Sequence, residues 1–286
     1  MEFDRHSLVI VLDGYGGSKD EFLGRPDRTA EVFGLAITAF PQAQIHRLSR
    51  NYGIGLAYEL LEAEVFAGGD SPWGLFLEED FVLYPMYLEA MSQLVAHVDS
   101  HGKVAVVSAT GDTRTPLTRG KNELYPQTHL WAFALRRSHY EARRPLLAPF
   151  LTSISGRPYW QRDNRELSLQ YLRRGMFLRG SSQDCIKRAI MGRLRKIAVT
   201  TGTAYGQYIG QSGEHSDPEM FRQMGFGFVA PVPATFEPPA VLTDQGVQRL
   251  VGESKRKAAA ERVRALRWHL GQWRQKIRRF RPISLM

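Results

Sequence analysis

Short, uninterrupted apolar runs alternate with longer stretches of helical periodicity through the first 110 residues. Ser7 to Leu12, SLVIVL, is a continuous β-rich run that ends at Asp13-Gly14-Tyr15-Gly16-Gly17, the form of a buried strand delivering a polar residue to a loop. The pattern predicts a helix over 28–39, a short strand from Gln44 to Leu48 and a helix from Gly55 to Phe66. Gly68-Gly69-Asp70-Ser71-Pro72 marks a turn. An apolar strand, Trp73-Gly74-Leu75-Phe76-Leu77, follows, then a helix from about Met86 to Val98 and a buried strand from Lys103 to Ser108. Strands alternating with helices predict an α/β protein with a mixed sheet covered by helices on both faces.

The middle third is less regular. Residues 157–196 are rich in arginine, with a helix expected from Gln183 to Arg193, and 202–240 are full of Gly and Pro and read mostly as loops. Thr235 to Pro239, with two prolines, is the expected domain exit, dividing a domain at 1–240 from a linker and tail at 241–286. Beyond it Val263, Leu266, Leu270, Trp273, Ile277 and Phe280 follow at alternating steps of three and four, which places them on one stripe of a helix. Arg267, Arg274, Lys276, Arg278 and Arg281 lie mostly away from that stripe.

Composition narrows the classes. The chain has 286 residues, 43% hydrophobic and 23% charged, which excludes disordered, collagenous and disulfide-rich scaffolds. The single cysteine, Cys185, has no internal partner, the acidic start Met1-Glu2-Phe3-Asp4 is unlike a signal peptide, and no apolar run is long enough for a bilayer, so a reducing cytosol is expected. The net charge of +9 suggests nucleic acid only until it is located. Residues 253–281 hold 11 Lys/Arg against Glu253 and Glu261, while the other residues carry 27 bases and 27 acids, so no nucleic-acid partner is expected. The tail fits the surface of an anionic membrane, where each Lys/Arg adds about 1 kcal/mol, or a helix docked on its own domain or on a partner subunit.

Glu78-Glu79-Asp80, at the end of WGLFL, places three carboxylates side by side. Like charges so close oppose one another's ionisation, and a divalent cation removes the conflict. Mn2+ or Mg2+ would suit such oxygen ligands, with a substrate diphosphate completing the shell; a solvated strand end or a helix cap would explain the triplet without a metal.

Four segments occur in an informative order. They are His46-Arg47-Leu48-Ser49-Arg50-Asn51-Tyr52-Gly53-Ile54-Gly55; LFLEEDFVLYPMYLEAM at 75–91; Pro126 to Leu135 around Trp131; and Ser182-Gln183-Asp184-Cys185 followed by Tyr208 to His215. Together they resemble the GT-A fold glycosyltransferases, particularly the group around N-acetylglucosaminyltransferase I and its bacterial relatives, over residues 7 to 220. The resemblance implies a GT-A-like, Rossmann-like mixed sheet and transfer of a sugar from a nucleotide-diphospho-sugar to a glycan or lipid-linked acceptor, with inversion, in bacterial surface polysaccharide synthesis. It implies Asp80 as direct metal ligand with His215 as a second, and Glu79 and Glu78 as contacts to donor ribose or sugar. It further implies Asp184 as the base that deprotonates the acceptor.

Asp184 could equally cap its helix, with Ser181 or Ser182 as rival caps, and a carboxylate there is expected to be kept ionised by the dipole. Asp13 could meet the base or ribose, Arg47, Arg50 and Asn51 belong to the donor side, and Tyr125 and Trp131 could stack on acceptor sugars. Members of the family begin with a further strand and helix; here six residues precede Ser7, so the fold is trimmed, LVIVLDGYGG takes over that role, or the start lies upstream. Two other functions fit less of the pattern: a sugar nucleotidyltransferase, for which DGYGGSK at 13–19 is a poor phosphate loop, and a non-catalytic peripheral membrane adaptor. The sum is an enzyme in the cytoplasm, peripheral at the inner face of the cell membrane through residues 253–281.

Overall fold

A computed structural model describes residues 8–14, 26–111, 123–127, 129–155, 162–176, 182–211, 218–223, 226 and 232–279. In chain order the elements are β1 (Val9–Leu12), α1 (Pro26–Ala39), β2 (Gln44–Arg47), α2 (Ile54–Ala67), β3 (Trp73–Leu77), β4 (Phe81–Leu83), α3 (Tyr87–Val98), β5 (Val104–Ser108), β6 (Leu124–Pro126), β7 (Ala132–Arg136), α4 (Arg137–Ile154), α5 (Asn164–Arg173), α6 (Gln183–Arg193), β8 (Ile197–Thr201), β9 (Gly206–Tyr208), α7 (Pro218–Gln223) and α8 (Asp244–Arg279). The strands and helices expected from the apolar pattern are present within a residue or two of their predicted ends. The described part of 202–240 is mostly loop apart from β9 and α7, as expected, but the middle third also holds α4, which runs through Pro145 and Pro149, whose exposed positions let water satisfy the carbonyls their missing N–H groups leave open.

The main sheet is mixed, in the order β3-β7-β5-β8-β6, with β5 and β8 parallel and the other neighbours antiparallel. β1 and β2 form a parallel pair, and β4 and β9 an antiparallel pair. α2 packs against both β1 and β3 and so joins the small parallel pair to the main sheet.

Each strand of the main sheet feeds both faces. Along β7, Ala132 and Ala134 enter the core under α3 and α8, while Phe133 and Leu135 enter the core under α2, α4 and α6. On β5 the register shifts between Val104 and Val106, which puts Ala105 and Val106 on the same side and Val107 back on the other. A third cluster, with Phe150, Tyr171, Ile186 and Ile190, glues α4, α5 and α6 together. The period-two alternation also governs consecutive arginines at the end of β7. Arg136 donates to the carbonyls of Val98 and Asp99 at the end of α3 and of Val104 at the start of β5, while Arg137 donates to Phe66 O at 2.6 Å in the last turn of α2 and, just beyond it, to Gly69 O and to Ser71 O at 2.9 Å.

Three charged side chains meet in the helical layer. Glu62 of α2 accepts from Arg143 of α4 through Oε2 and from Lys187 of α6 through Oε1 at 3.0 Å, with all three at most 1% exposed. Burial alone would push the Glu62 carboxyl up; Lys187 and Arg143 together hold it below its ordinary value. Replacing Arg143 with Met leaves this carboxylate buried with half its partners. The Arg143→Met protein should lose about 3–5 kcal/mol in urea unfolding, whereas replacing Glu62, Arg143 and Lys187 together with apolar residues should recover most of the loss.

Candidate active site around the acidic turn

β3 ends at Leu77, opposite Ala132 of β7, and Glu78 N donates to Trp131 O at 2.8 Å. The chain then turns: Phe81 N donates to Glu78 O at 3.2 Å, with Glu79 and Asp80 at the centre. β4 leaves the turn paired with β9, Phe81 opposite Tyr208, and Ile209 N donates to Asp80 O at 2.8 Å. The Tyr208 hydroxyl therefore faces the Asp80 carboxylate. A Cβ at Gly210 would lie 2.5 Å from Asp80 Oδ2, so a larger residue there would have to displace the ends of the Asp80 and Tyr208 side chains. The Tyr208 ring stacks on Trp131 at 4.1 Å, Trp131 stacks on His129 at 4.4 Å, and Phe226 closes the group edge-on. Trp131, expected as a sugar platform, is 9% exposed and forms the middle of this stack.

Asp184 approaches the acidic turn from the first turn of α6. Ser182, not Asp184, is the cap: its Oγ accepts from Cys185 N at 3.3 Å. Freed from capping, the Asp184 carboxylate accepts from Leu130 N at 3.4 Å, next to the aromatic stack. Tyr58 of α2, 5% exposed, faces both Glu78 and Asp184. A Cβ at Gly55, in the first turn of α2, would lie 3.8 Å from Gln183 Cβ, so the N-terminal ends of α2 and α6 meet beside the acidic turn.

Crowded carboxyls resist ionisation here. Burial first, then Asp184, Asp80 and Glu79, push Glu78 up to about 10. Burial, and next Glu79, push Asp80 up to about 6. Asp184 is also raised, by burial, which outweighs Arg188, Lys187 and the Leu130 N–H. Asp80 Oδ1 is buried without a hydrogen-bond partner.

That orphaned oxygen, and a donor set of carboxylate oxygens, fit a hard divalent cation. Among the described residues no three His, Cys, Asp or Glu side chains form a metal cage, so the protein share of such a site rests on Asp80. His215, the expected second ligand, lies outside the described residues.

The donor-side residues form a second group. Asp13, at the end of β1, accepts from Gly14 N at 2.9 Å and Tyr52 N at 2.8 Å through Oδ1 and from Gly53 N at 2.8 Å through Oδ2, so it ties the β1 loop to the Asn51-Tyr52-Gly53 turn that opens α2. Gly53 has φ +76°, and buried Arg162 packs beside it. Arg47 lies over Phe33 at 5.3 Å and Arg50 over Tyr52 at 4.8 Å; both arginines are exposed and both rings half-buried. Tyr125 sits on β6, at the opposite edge of the main sheet from β3, about four strand spacings of about 4.8 Å away. The structure thus brings together Glu78, Glu79, Asp80, Trp131 and Asp184, places Asp13 and Asn51 at the neighbouring end of α2, and leaves Tyr125 apart.

Sequence reading missed Tyr58, Tyr208 and Lys187. The available signal was a polar or charged residue on an apolar face, as Glu62 is among Gly55, Tyr58 and Phe66 on α2. Among the described residues no helix is long and apolar enough to cross a membrane. The chain matches no protein-family model, and none of the curated proteins matches it.

The Glu78 carboxyl gives the site a pH signature. Its folded value lies above the ordinary 4.5, so between pH 4.5 and about 10 the unfolded chain releases this proton first, and stability falls as pH rises through that window. Glu78→Gln should raise the metal-free thermal midpoint by at least about 2 °C at pH 8 and leave it unchanged at pH 4. Differential scanning calorimetry at the two pH values checks this.

Proposed function

We propose that the chain is a metal-dependent glycosyltransferase of the GT-A type, cytoplasmic and peripheral at the inner face of the cell membrane. It moves a sugar from a nucleotide-diphospho-sugar to a hydroxyl of a glycan or lipid-linked acceptor, with inversion, in bacterial surface polysaccharide synthesis. The observation that carries this reading is the cluster in which Asp80, with its orphaned oxygen, and Asp184, relieved of capping, stand with Glu78 beside two meeting helix N-termini. Helix N-termini favour an anionic group such as a diphosphate.

Asp80, with His215 in support, would hold Mg2+ or Mn2+, which would supply positive charge to offset that of the leaving diphosphate. Glu78, protonated in the bare site, presents a hydrogen-bond donor to the sugar. Asp184 accepts the acceptor hydroxyl proton as that oxygen attacks the anomeric carbon; the sugar–phosphate bond breaks and its electron pair leaves with the nucleotide diphosphate. Lys187 and Arg188, on the same helix, favour the ionised form of Asp184 that this step requires.

A screen of nucleotide sugars with Mn2+ by thermal shift tests the reading, because a ligand at 100 times its Kd adds about 2.7 kcal/mol. Asp80→Asn should abolish the metal-dependent shift. Asp184→Asn should keep it while transfer falls by about 10²–10⁴-fold. No stabilisation by any nucleotide sugar, or full transfer by Asp184→Asn, would sink the proposal.

A further inference from the structure

α8 has two faces. Val247 and Leu250 are buried against the domain, Lys257 Nζ donates to Pro126 O at 3.2 Å, Glu261 pairs with Arg188 at 3.6 Å, and Ala265 is 1% exposed. At about 100° per residue these five positions fall within a sector of about 80°. Val263, Leu266 and Leu270 fall within another sector of about 60°, centred about 170° away, and are 47%, 42% and 60% exposed. Lys255 and Arg262 border that sector on one side and Arg256 and Arg267 on the other, all exposed. Docking on the domain thus uses the side of the helix opposite the apolar stripe.

We propose that this outward face of α8 is the surface that docks the protein on an anionic lipid bilayer, with Val263, Leu266 and Leu270 entering the headgroup boundary and the four flanking bases meeting lipid phosphates. The inference deepens the membrane location proposed above. Charge selects the occupant: between Lys255 and Leu270 the only carboxylate, Glu261, is spent on the domain side, so a second copy placed on this face would set basic flank against basic flank. An anionic surface satisfies both the stripe and its borders. Because Arg188 links Glu261 to α6, where its Nε donates to Asp184 O at 3.4 Å, the docked helix would hold the candidate site at a fixed attitude to the bilayer.

The test uses the full chain and vesicles of phosphatidylcholine, with and without phosphatidylglycerol. Wild type should sediment with the anionic vesicles and not with the neutral ones. Leu266→Glu/Leu270→Glu, exposed in the free protein, should keep its thermal midpoint and bind at least about tenfold more weakly. Arg262→Gln/Arg267→Gln should weaken binding and flatten its salt dependence. Equal binding to both vesicles, no binding, or undiminished binding by the leucine variant would overturn the proposal. So would a wild-type dimer, seen by analytical ultracentrifugation, that the leucine variant dissolves. The thermal shift with nucleotide sugars is unaffected by these variants, so its failure reports on the chemistry and not on the docking face.

Discussion

Glu62 holds three helices from distant parts of the chain through two buried cations, and the candidate site hangs from them. Arg143 enters from α4 and Lys187 from α6, and Lys187 also lies over the Tyr58 ring at 4.7 Å. α2 carries Tyr58 to the acidic turn and α6 carries Asp184. Burying one carboxylate with two cations is costly unless all three are satisfied, so the helices cannot slide independently. Burial pushes the Lys187 ammonium down despite Glu62, which marks how dry this centre is.

Above the ion centre the balance reverses. The turn gathers Glu78, Glu79 and Asp80 against Asp184 with no cation touching the turn itself among the described residues, and Glu78, pushed up to about 10, keeps its proton in place of a counter-charge. Buried carboxyls whose ionisation is opposed in this way are more frequent at functional sites than elsewhere.

How much of this could be read from residues alone depends on the range of each interaction. β1, β3 and β5 are apolar runs whose apolarity is a local property, although β1 is only half-buried where a buried strand was expected, and α3 shows its stripe of Tyr87, Met91, Leu94 and Val98 directly. β4 is three residues long and exists because β9 pairs with it, so no local pattern marks it. α4 was hidden by Pro145 and Pro149, which ordinarily end helices and here are outvoted by Tyr140, Leu147, Phe150 and Ile154 in the core. The start of α8 was hidden too, because its domain-facing positions include Lys257 and Glu261, whose partners lie elsewhere. In the site, Asp80 and Asp184 were named from the ordered motifs and Ser182 was among the caps the local sequence offered, but the approach of Tyr58 and Tyr208 is a tertiary fact. Asp13 shows the reverse: a strand-end aspartate that looks made for a ligand is engaged by three backbone N–H groups.

The pairing of β4 with β9 has a consequence for biosynthesis. Asp80 leaves the ribosome long before Tyr208, and until β9 emerges the turn lacks both its strand partner and the phenol that faces it. A nascent chain therefore carries its acidic triplet unassembled while most of the main sheet is already translated. Contacts of such long sequence separation form late and slowly, so competence to grip a cation would appear only as the last stretch of the domain is made.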